Sequence, residues 1–475
     1  MVELSLWSSQ EIIDATGGTL SGDAFDVSGV SIDSRTVGAG DLFIAIKGPN
    51  HDGHDFARAA AEKGAALLLD RAIDGLPDGA CSIIVDDTFS ALNDLGHAAR
   101  ARTNADIVAI TGSVGKTGTK ELLAAVLSQH GKTHCPVGSF NNHWGVPLTL
   151  ARMPRDAQFG VFEIGMNHAG EIAPLAKMVK PRLVIITTIA GVHMANFDHI
   201  DDIARAKAEI FQGLVPGGMA VLPFDNAFFG ILTDYALSFG ASNVVSFGEG
   251  AKSAVKLEKV SYHPDCSCAR ARVLGQDVTF KIGMPGHHWV TNALAVLAAT
   301  QLLTGELGQA GIALAGMVPP KGRGAHHTLN FKGGALQLVD ESYNASPPSM
   351  RAALEILAAQ PVGRQGRRVA VLGDMLELGD ETVSAHEALA APIDKAGVDR
   401  VYLVGAAVKS LAAKLGRERL ALCVENTKEL QSRLERDLRA GDVVMLKGSN
   451  GIGLSRIVDH FIDAYPAQTP SDELL

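Results

Sequence analysis

No apolar run in this chain of 475 residues approaches the ~18 residues needed to cross a bilayer, so no membrane-spanning helix is expected. Basic tracts are missing too. Asp and Glu number 52 against 42 Lys and Arg, a formal charge of −10, which argues against a nucleic-acid partner. Cysteine is scarce: Cys81, Cys135, Cys266, Cys268 and Cys423 are few and scattered, as expected for thiols in a reducing cytoplasm. Their one cluster, His263-x-x-Cys266-x-Cys268, has too few ligands for a finger-like metal site and reads as a strand or hairpin segment. The opening stretch MVELSLWSSQEIIDATGG has acidic residues and no basic region ahead of a hydrophobic core, so it is not expected to act as a signal peptide. No repeat of fixed period is present, nor the Asn-Lys-x-Asp motif with which GTPases read their base.

What remains is an ordinary globular composition, 47% apolar and 20% charged, long enough for about three domains at roughly 150 residues each. The most informative stretch is Ile107–Leu123, IVAITGSVGKTGTKELL. An apolar β-rich run leads into a turn bracketed by Gly112 and Gly115, then Lys116, Thr117 and a helical pattern. Glycines let successive backbone N–H groups point inward, a helix N-terminus adds partial positive charge, and Lys116 adds a full one, so the stretch suits a triphosphate. Thr117 would offer its hydroxyl to the Mg²⁺ that accompanies ATP. The general phosphate-loop pattern has glycine where Ile110 stands, so an ordinary glycine-rich turn with a surface lysine is the alternative.

Around this stretch the chain divides into three expected α/β units, residues 1–102, 103–325 and 326–475. In the first, strands at Val27–Asp33 and Leu42–Ile46 and a helix at Asp55–Lys63 surround two polar clusters, Ser31–Arg35 and Lys47–His54. Such loops either read ligands or are solvated connections. The second unit alternates strand, turn and helix, which implies a mostly parallel sheet. Its strands at Gly160–Ile164, Leu183–Thr188 and Met219–Pro223 end near groups capable of chemistry: Glu163, then His193 on the loop after a strand, then Lys207 in a helix spanning Ile203–Leu214. The third unit restarts the pattern, with strands at Leu336–Val339, Arg368–Leu372, Val401–Val404 and Val443–Lys447, as in a Rossmann-like sheet. The tail after Tyr465 is expected to fray.

Taken in order, TGSVGKTGTKELL, SFNNHWGVPLTL, FEIGMNHAGEIAPL, ARAKAEIF, DESYNASPPSM and VLGDMLELG closely resemble the Mur ligases over nearly the whole chain. The family's own phosphate loop also lacks the first glycine. The resemblance implies an N-terminal UDP-binding domain, a central ATPase domain and a C-terminal Rossmann-like domain. Within the family, the last two motifs are most similar to the member that adds D-alanyl-D-alanine to UDP-N-acetylmuramoyl-tripeptide. The implied reaction is ATP-dependent amide formation through an acyl phosphate, by a monomeric cytoplasmic enzyme on small-molecule substrates. A hinge that closes the third domain over the intermediate is expected with it.

Carried over by residue, the resemblance places ATP on Gly112, Ser113, Val114, Gly115, Lys116, Thr117 and Gly118, with Asn292 near adenine, Arg323 on the nucleotide and Glu341 by the ribose. It assigns magnesium to Thr117, Glu163, His193 and Lys207, the last as a carbamate; Lys116, Glu163, His193 and Lys207 are the catalytic set. Asn141 and Asn142 fall near the acyl donor, and Ser31, Asp33, Ser34, Arg35 and Lys47 in the UDP-binding segments. Tyr343, Asn344, Asp374 and Lys447 either line the dipeptide pocket, close over the acyl phosphate, or merely shape a domain interface. Trp289, Glu341 and Ser346 depart from the family's commoner residues; at 289 an adenine contact is expected to be absent or replaced by stacking.

Two rivals share the chemistry: folylpolyglutamate synthases, which lack a separate N-terminal domain of this kind, and the Mur ligase adding the third residue, which would show a histidine-containing motif in place of DESYNASP. A nucleotide-hydrolysing switch needs neither a carbamylatable lysine nor two flanking domains. A non-catalytic scaffold is weaker still, because phosphate, metal and nucleotide positions all persist.

Overall fold

Short apolar runs bounded by glycine and polar residues become buried parallel strands when helices cover both faces. In the computed structural model, which describes residues 5–192 and 194–467, this happens three times. Among the described residues the N-terminal sheet has the order Thr19–Ser21, Ser82–Ile84, Ala66–Leu69, Asp41–Ile44, Gly29–Ser31, parallel except at its first pair. The expected strand at Val27–Asp33 is shorter, because Ser31 turns the chain: its hydroxyl donates to the Asp33 carbonyl and accepts from the Asp33 N–H. The expected helix at Asp55–Lys63 begins with a 3-10 turn, Gly53–Phe56, capped by Asp52, and continues as Ala57–Glu62.

The central sheet has Asp106–Thr111 deep in its interior, between Leu183–Ile186 and Phe159–Glu163, all parallel. Beyond Leu183–Ile186 come Met219–Pro223 and Asn243–Gly248, then Val255–Tyr262, Ser267–Val273 and Gln276–Ile282 as an antiparallel extension. His263 and Cys266 join across the first of these hairpins, His263 N to Cys266 O at 2.9 Å, in line with the expected strand or hairpin segment. The helix expected over Ile203–Leu214 starts earlier, at Ile200, and stops at Ala208; Glu209–Gly213 tightens into a 3-10 turn. Gly213 there lies so close to the neighbouring helix that a Cβ would sit 2.0 Å from the Ala176 carbonyl.

The third sheet runs Ala325–Phe331, Gly334–Glu341, Val443–Lys447, Arg368–Gly373, Arg400–Val404, Leu420–Val424, antiparallel only at the first pair. No described helix is long and apolar enough to cross a membrane. One apolar core runs from Ile12, Val30 and Leu42 into Ile107, Phe162 and Phe211, fastening the N-terminal sheet to the central one. Side chains of this size contribute roughly 1.5–3 kcal/mol each when fully buried. The seam is also pinned by polar contacts, Trp7 Nε1 to the Ala151 carbonyl at 2.8 Å and Arg152 Nε to the Val30 carbonyl at 2.5 Å.

Candidate active site

The strand Asp106–Thr111 ends in the turn Gly112–Gly115, and the helix Lys116–Leu127 follows at once. Gly112 has φ +149°, and a Cβ there would meet Thr187 Oγ1 at 2.0 Å; Gly115 has φ +89° and faces Asn292 Oδ1, 2.9 Å from an added Cβ. Any larger residue would push both neighbours away. The loop is tied to the next strand's end: Ser113 Oγ donates to the Ala190 carbonyl at 2.8 Å, and Thr187 Oγ1 to the Val114 carbonyl at 2.6 Å. Lys116 Nζ curls back to the Gly112 carbonyl at 2.7 Å. Burial lowers its pKa, Glu163 opposes that shift, and Arg323 adds to it.

Around the loop the chain gathers groups from distant segments. Glu163 ends the strand Phe159–Glu163 and is 1% exposed. Asn141 Nδ2 donates to its Oε1 at 2.7 Å, while its Oε2 is buried with no partner among the described residues. The Thr117 hydroxyl lies 3.3 Å from Ser139 Oγ and accepts from Arg323 Nη2 at 3.2 Å. Arg323 in turn lies over the Tyr343 ring, 4.1 Å from its centroid, bridging the phosphate loop to the third unit. The orphaned Glu163 oxygen and the Thr117 hydroxyl are hard oxygen donors, a chemistry that fits a magnesium ion.

Lys207, in the helix Ile200–Ala208, is 1% exposed, and its pKa is held well below the ordinary lysine value, first by burial and then by Lys116. A shift in this direction favours the unprotonated, nucleophilic form of the amine. His193 lies outside the described residues.

Several of the expected site residues have partners within the chain. Trp289 is 4% exposed and wedged on the phosphate-loop helix, where a Cβ on Gly118 would meet its Cζ3 at 2.6 Å. Asn292 does reach the loop, at Gly115. Asn142 spends its carbonyl oxygen on the N–H groups of Trp144 and Gly145, at 3.2 and 2.9 Å, starting the helix Gly145–Ala151. Asp374 accepts from the N–H groups of Ala406 and Val408, so both its oxygens hold a turn rather than facing a pocket. Lys447, 2% exposed, donates to the Asn344 carbonyl at 2.9 Å and to Glu341 Oε2 at 3.3 Å, a buried ion pair where a ribose contact is expected. In the N-terminal loops Arg35 is 86% exposed and pairs with Asp33 at 2.7 Å; Ser34 and Lys47 are exposed or half-exposed beside it in the sequence clusters expected to bind UDP.

A cavity of about 260 Å³ opens between Ser113 and Val114 of the phosphate loop and the third unit's Asn344, Leu376, Ser449 and Asn450. Ser449, Asn450 and Leu376 have no assigned role in the sequence reading, although they follow strand ends, which is where ligands gather in such sheets. The two walls touch at Ala195 N, which donates to the Glu377 carbonyl at 3.3 Å.

Comparison with known proteins gives three family matches: "Mur ligase family, catalytic domain" over residues 26–110, "Mur ligase middle domain" over 110–300, and "Mur ligase, glutamate ligase domain" over 329–450. The UDP-N-acetylmuramoyl-tripeptide--D-alanyl-D-alanine ligase of Rickettsia prowazekii is 32% identical over 457 residues, 96% of this chain and 100% of that protein. The enzyme of the same name from Bacillus subtilis is 33% identical over 463 residues, 96% and 98% of the two chains. Among solved structures, MurF from Acinetobacter baumannii aligns with a TM-score of 0.82 at 28% identity, covering 96% of this chain and 99% of its own. MurF ligase from Thermotoga maritima in complex with ADP aligns at 0.74 and 25% identity, covering 92% and 97%.

Proposed function

The chain belongs to the Mur ligase family, and from that membership we infer how its residues carry out the reaction. It is an ATP-dependent ligase that joins D-alanyl-D-alanine to UDP-N-acetylmuramoyl-tripeptide in the synthesis of the peptidoglycan precursor. A carboxylate does not react with amines until one of its oxygens becomes part of a good leaving group. The tripeptide carboxylate therefore attacks the γ-phosphorus of ATP, the bond to the β-phosphate oxygen breaks, and ADP leaves. The dipeptide amine then adds to the acyl carbon, phosphate departs with one former carboxylate oxygen, and the nitrogen loses a proton.

Phosphoryl transfer is mostly positioning and charge neutralisation. Lys116 and the backbone N–H groups of 112–118 hold the β- and γ-phosphates. Arg323 adds charge from the junction with the third unit, and its place over Tyr343 couples nucleotide binding to the wall of the cavity. Thr117 and Glu163 would hold magnesium, with His193 and Lys207 completing the set; the ion, when bound, supplies positive charge against the phosphates. Asn141 aims Glu163. Lys207 adds CO₂ through its unprotonated amine: after the ammonium has released one proton an N–C bond forms, a second proton leaves the nitrogen, and the former cation is a carbamate anion.

We place the functional boundaries at 1–102, 103–325 and 326–475. UDP lies on the loops of Ser31–Arg35 and Lys47, adenine beside Asn292, and the dipeptide in the cavity walled by Asn344 and Ser449. Glu341 and Lys447 brace that wall. The enzyme works as a monomer in the cytoplasm.

The observation that carries this reading is the convergence on one phosphate loop of Lys116, Thr117, the half-partnered Glu163 and the buried Lys207. Labelling the tripeptide carboxylate with ¹⁸O tests it. One labelled oxygen in each phosphate released is the expected result. Unlabelled phosphate would overturn the acyl-phosphate route.

A further inference from the structure

At the opposite end of the third sheet lies a concavity of about 600 Å³ whose lining is mostly cationic, six arginines and a lysine among eleven residues. Arg364 and Arg367 come from the loop before the strand Arg368–Gly373, Arg400 from the start of its neighbour, and Arg433, Arg436 and Arg439 from the helix Thr427–Asp437 and the turn beyond it. Lys332, from the turn between Phe331 and Gly334, closes the rim.

Two carboxylates offset only part of this charge. Asp442, fully buried, binds Arg367 through Nη2 at 2.6 Å and also accepts from the backbone N–H groups of Arg367 and Arg439, at 2.9 and 3.0 Å. Asp437 pairs with Arg433 and, at 3.5 Å, with Arg436. Arg364, Arg400, Arg439 and Lys332 have no carboxylate partner among the described residues. Lys332 donates to the carbonyls of Arg436 and Leu438; Arg400 donates to the Glu418 carbonyl, and its Nε is buried without a partner.

The concavity is held in shape. A Cβ on Gly366 would fall 1.8 Å from the Gly441 carbonyl, so the two arginine-bearing loops are pressed together, and Asp442 pins both. In a chain whose net charge is −10, this local excess of cations in a concave surface focuses a positive field. Guanidinium forks fixed around such a hollow match phosphate oxygens.

We propose that this concavity is a second anion site, taking a ligand with one or more phosphate groups. It is separate from the phosphate loop: Arg368 and Arg400 begin strands whose other ends, Gly373 and Val404, lie on the catalytic side. Strands of this length put about 13–17 Å between the two ends. The ligand is either a free phosphorylated molecule or a phosphate headgroup of an anionic lipid surface, and both make the same contacts.

The test uses the full chain with a non-hydrolysable ATP analogue filling the phosphate loop, at about 0.15 M salt so that loose surface attraction is screened. Inorganic pyrophosphate is titrated calorimetrically, and vesicles of phosphatidylglycerol or phosphatidylcholine are sedimented with the protein. The same is done for an Arg364→Ser/Arg439→Ser variant and for Arg364→Lys/Arg439→Lys, with melting curves and ligase rates as controls for folding. Pyrophosphate binding that weakens more than about tenfold in the serine variant, and is largely kept in the lysine variant, supports a free phosphorylated ligand. Capture on phosphatidylglycerol but not phosphatidylcholine vesicles, lost with the serine variant, supports a lipid headgroup. Binding to neither probe, or binding indifferent to the serine substitutions, overturns the site.

Discussion

Replacing Asn141 with leucine removes one amide and keeps most of the volume. That amide is the group that donates to Glu163 Oε1 at 2.7 Å, and Glu163 Oε2 already lacks a partner, so the variant leaves a carboxylate 1% exposed with no donor among the described residues. A hydrogen bond to a charged group contributes about 1.5–3 kcal/mol, close to 10–150-fold in an equilibrium. Loss of a partner that orients a metal-holding side chain costs roughly 10–100-fold in metal affinity, which agrees. The assay is phosphate release against free Mg²⁺, with ATP, UDP-tripeptide and dipeptide saturating. The half-maximal Mg²⁺ concentration should rise about 10–100-fold while kcat at saturating Mg²⁺ changes little. Gly165→Ala approaches the same bond from the other side, since a Cβ there would lie 3.0 Å from Asn141 Cγ, and it should shift the curve in the same direction. An Asn141→Leu enzyme with an unchanged Mg²⁺ requirement and a raised KM for the UDP substrate alone would refute the orienting role.

Other substitutions reach different parts of the account. Gly118→Ala should weaken ATP binding by crowding Trp289, and Trp289→Leu should restore part of the loss, a coupling that a double-mutant cycle of ATP affinities measures. Gly115→Ala, forced into φ +89° and against Asn292, should cost about 1–3 kcal/mol in strain and show as a lower melting temperature together with weaker ATP binding. Lys207→Met should abolish ligation, yet in CO₂-free buffer it should raise the melting temperature near neutral pH, by about 2–4 °C for each kcal/mol gained. The sign follows from its lowered pKa: between the folded and unfolded values the unfolded chain binds more protons, so the wild type gains stability as pH rises. The advantage of methionine should therefore shrink towards pH ~10. Lys447→Ala strands Glu341 as a buried charge, and should destabilise the third unit by roughly 3–5 kcal/mol in a denaturant titration.

Much of the scaffold could be read from the chain because buried parallel strands are continuous apolar runs. Met219–Pro223 and Val443–Lys447 fall where the sequence puts them. Strands with one wet face were missed: Val255–Tyr262 carries Lys256, Glu258 and Lys259, and Ala325–Phe331 carries two histidines and an asparagine, so neither stands out from a loop. The phosphate loop was legible because strand, glycines, lysine and helix are contiguous. What surrounds it was not, except through likeness to a family. The Asn141–Glu163 bond spans 22 residues and the Arg323–Thr117 bond 206, and no local pattern encodes either. The packing of Trp289 on the bare face of Gly118 was not legible, because that contact exists only once two helices pack. The cationic concavity was invisible for the same reason, its arginines being spread from 364 to 439 among acidic neighbours.

The central claim, that this phosphate loop activates the carboxylate of a UDP-linked tripeptide for attack by D-alanyl-D-alanine, is tested most directly by substrate omission. Phosphate release from ATP is followed with Mg²⁺, UDP-N-acetylmuramoyl-tripeptide and D-alanyl-D-alanine, leaving out each in turn, and the product is weighed by mass spectrometry. The account predicts release that needs both the tripeptide and the dipeptide, a UDP-linked pentapeptide as product, and neither from Lys116→Ala. Release indifferent to both substrates, with no pentapeptide formed, would contradict it.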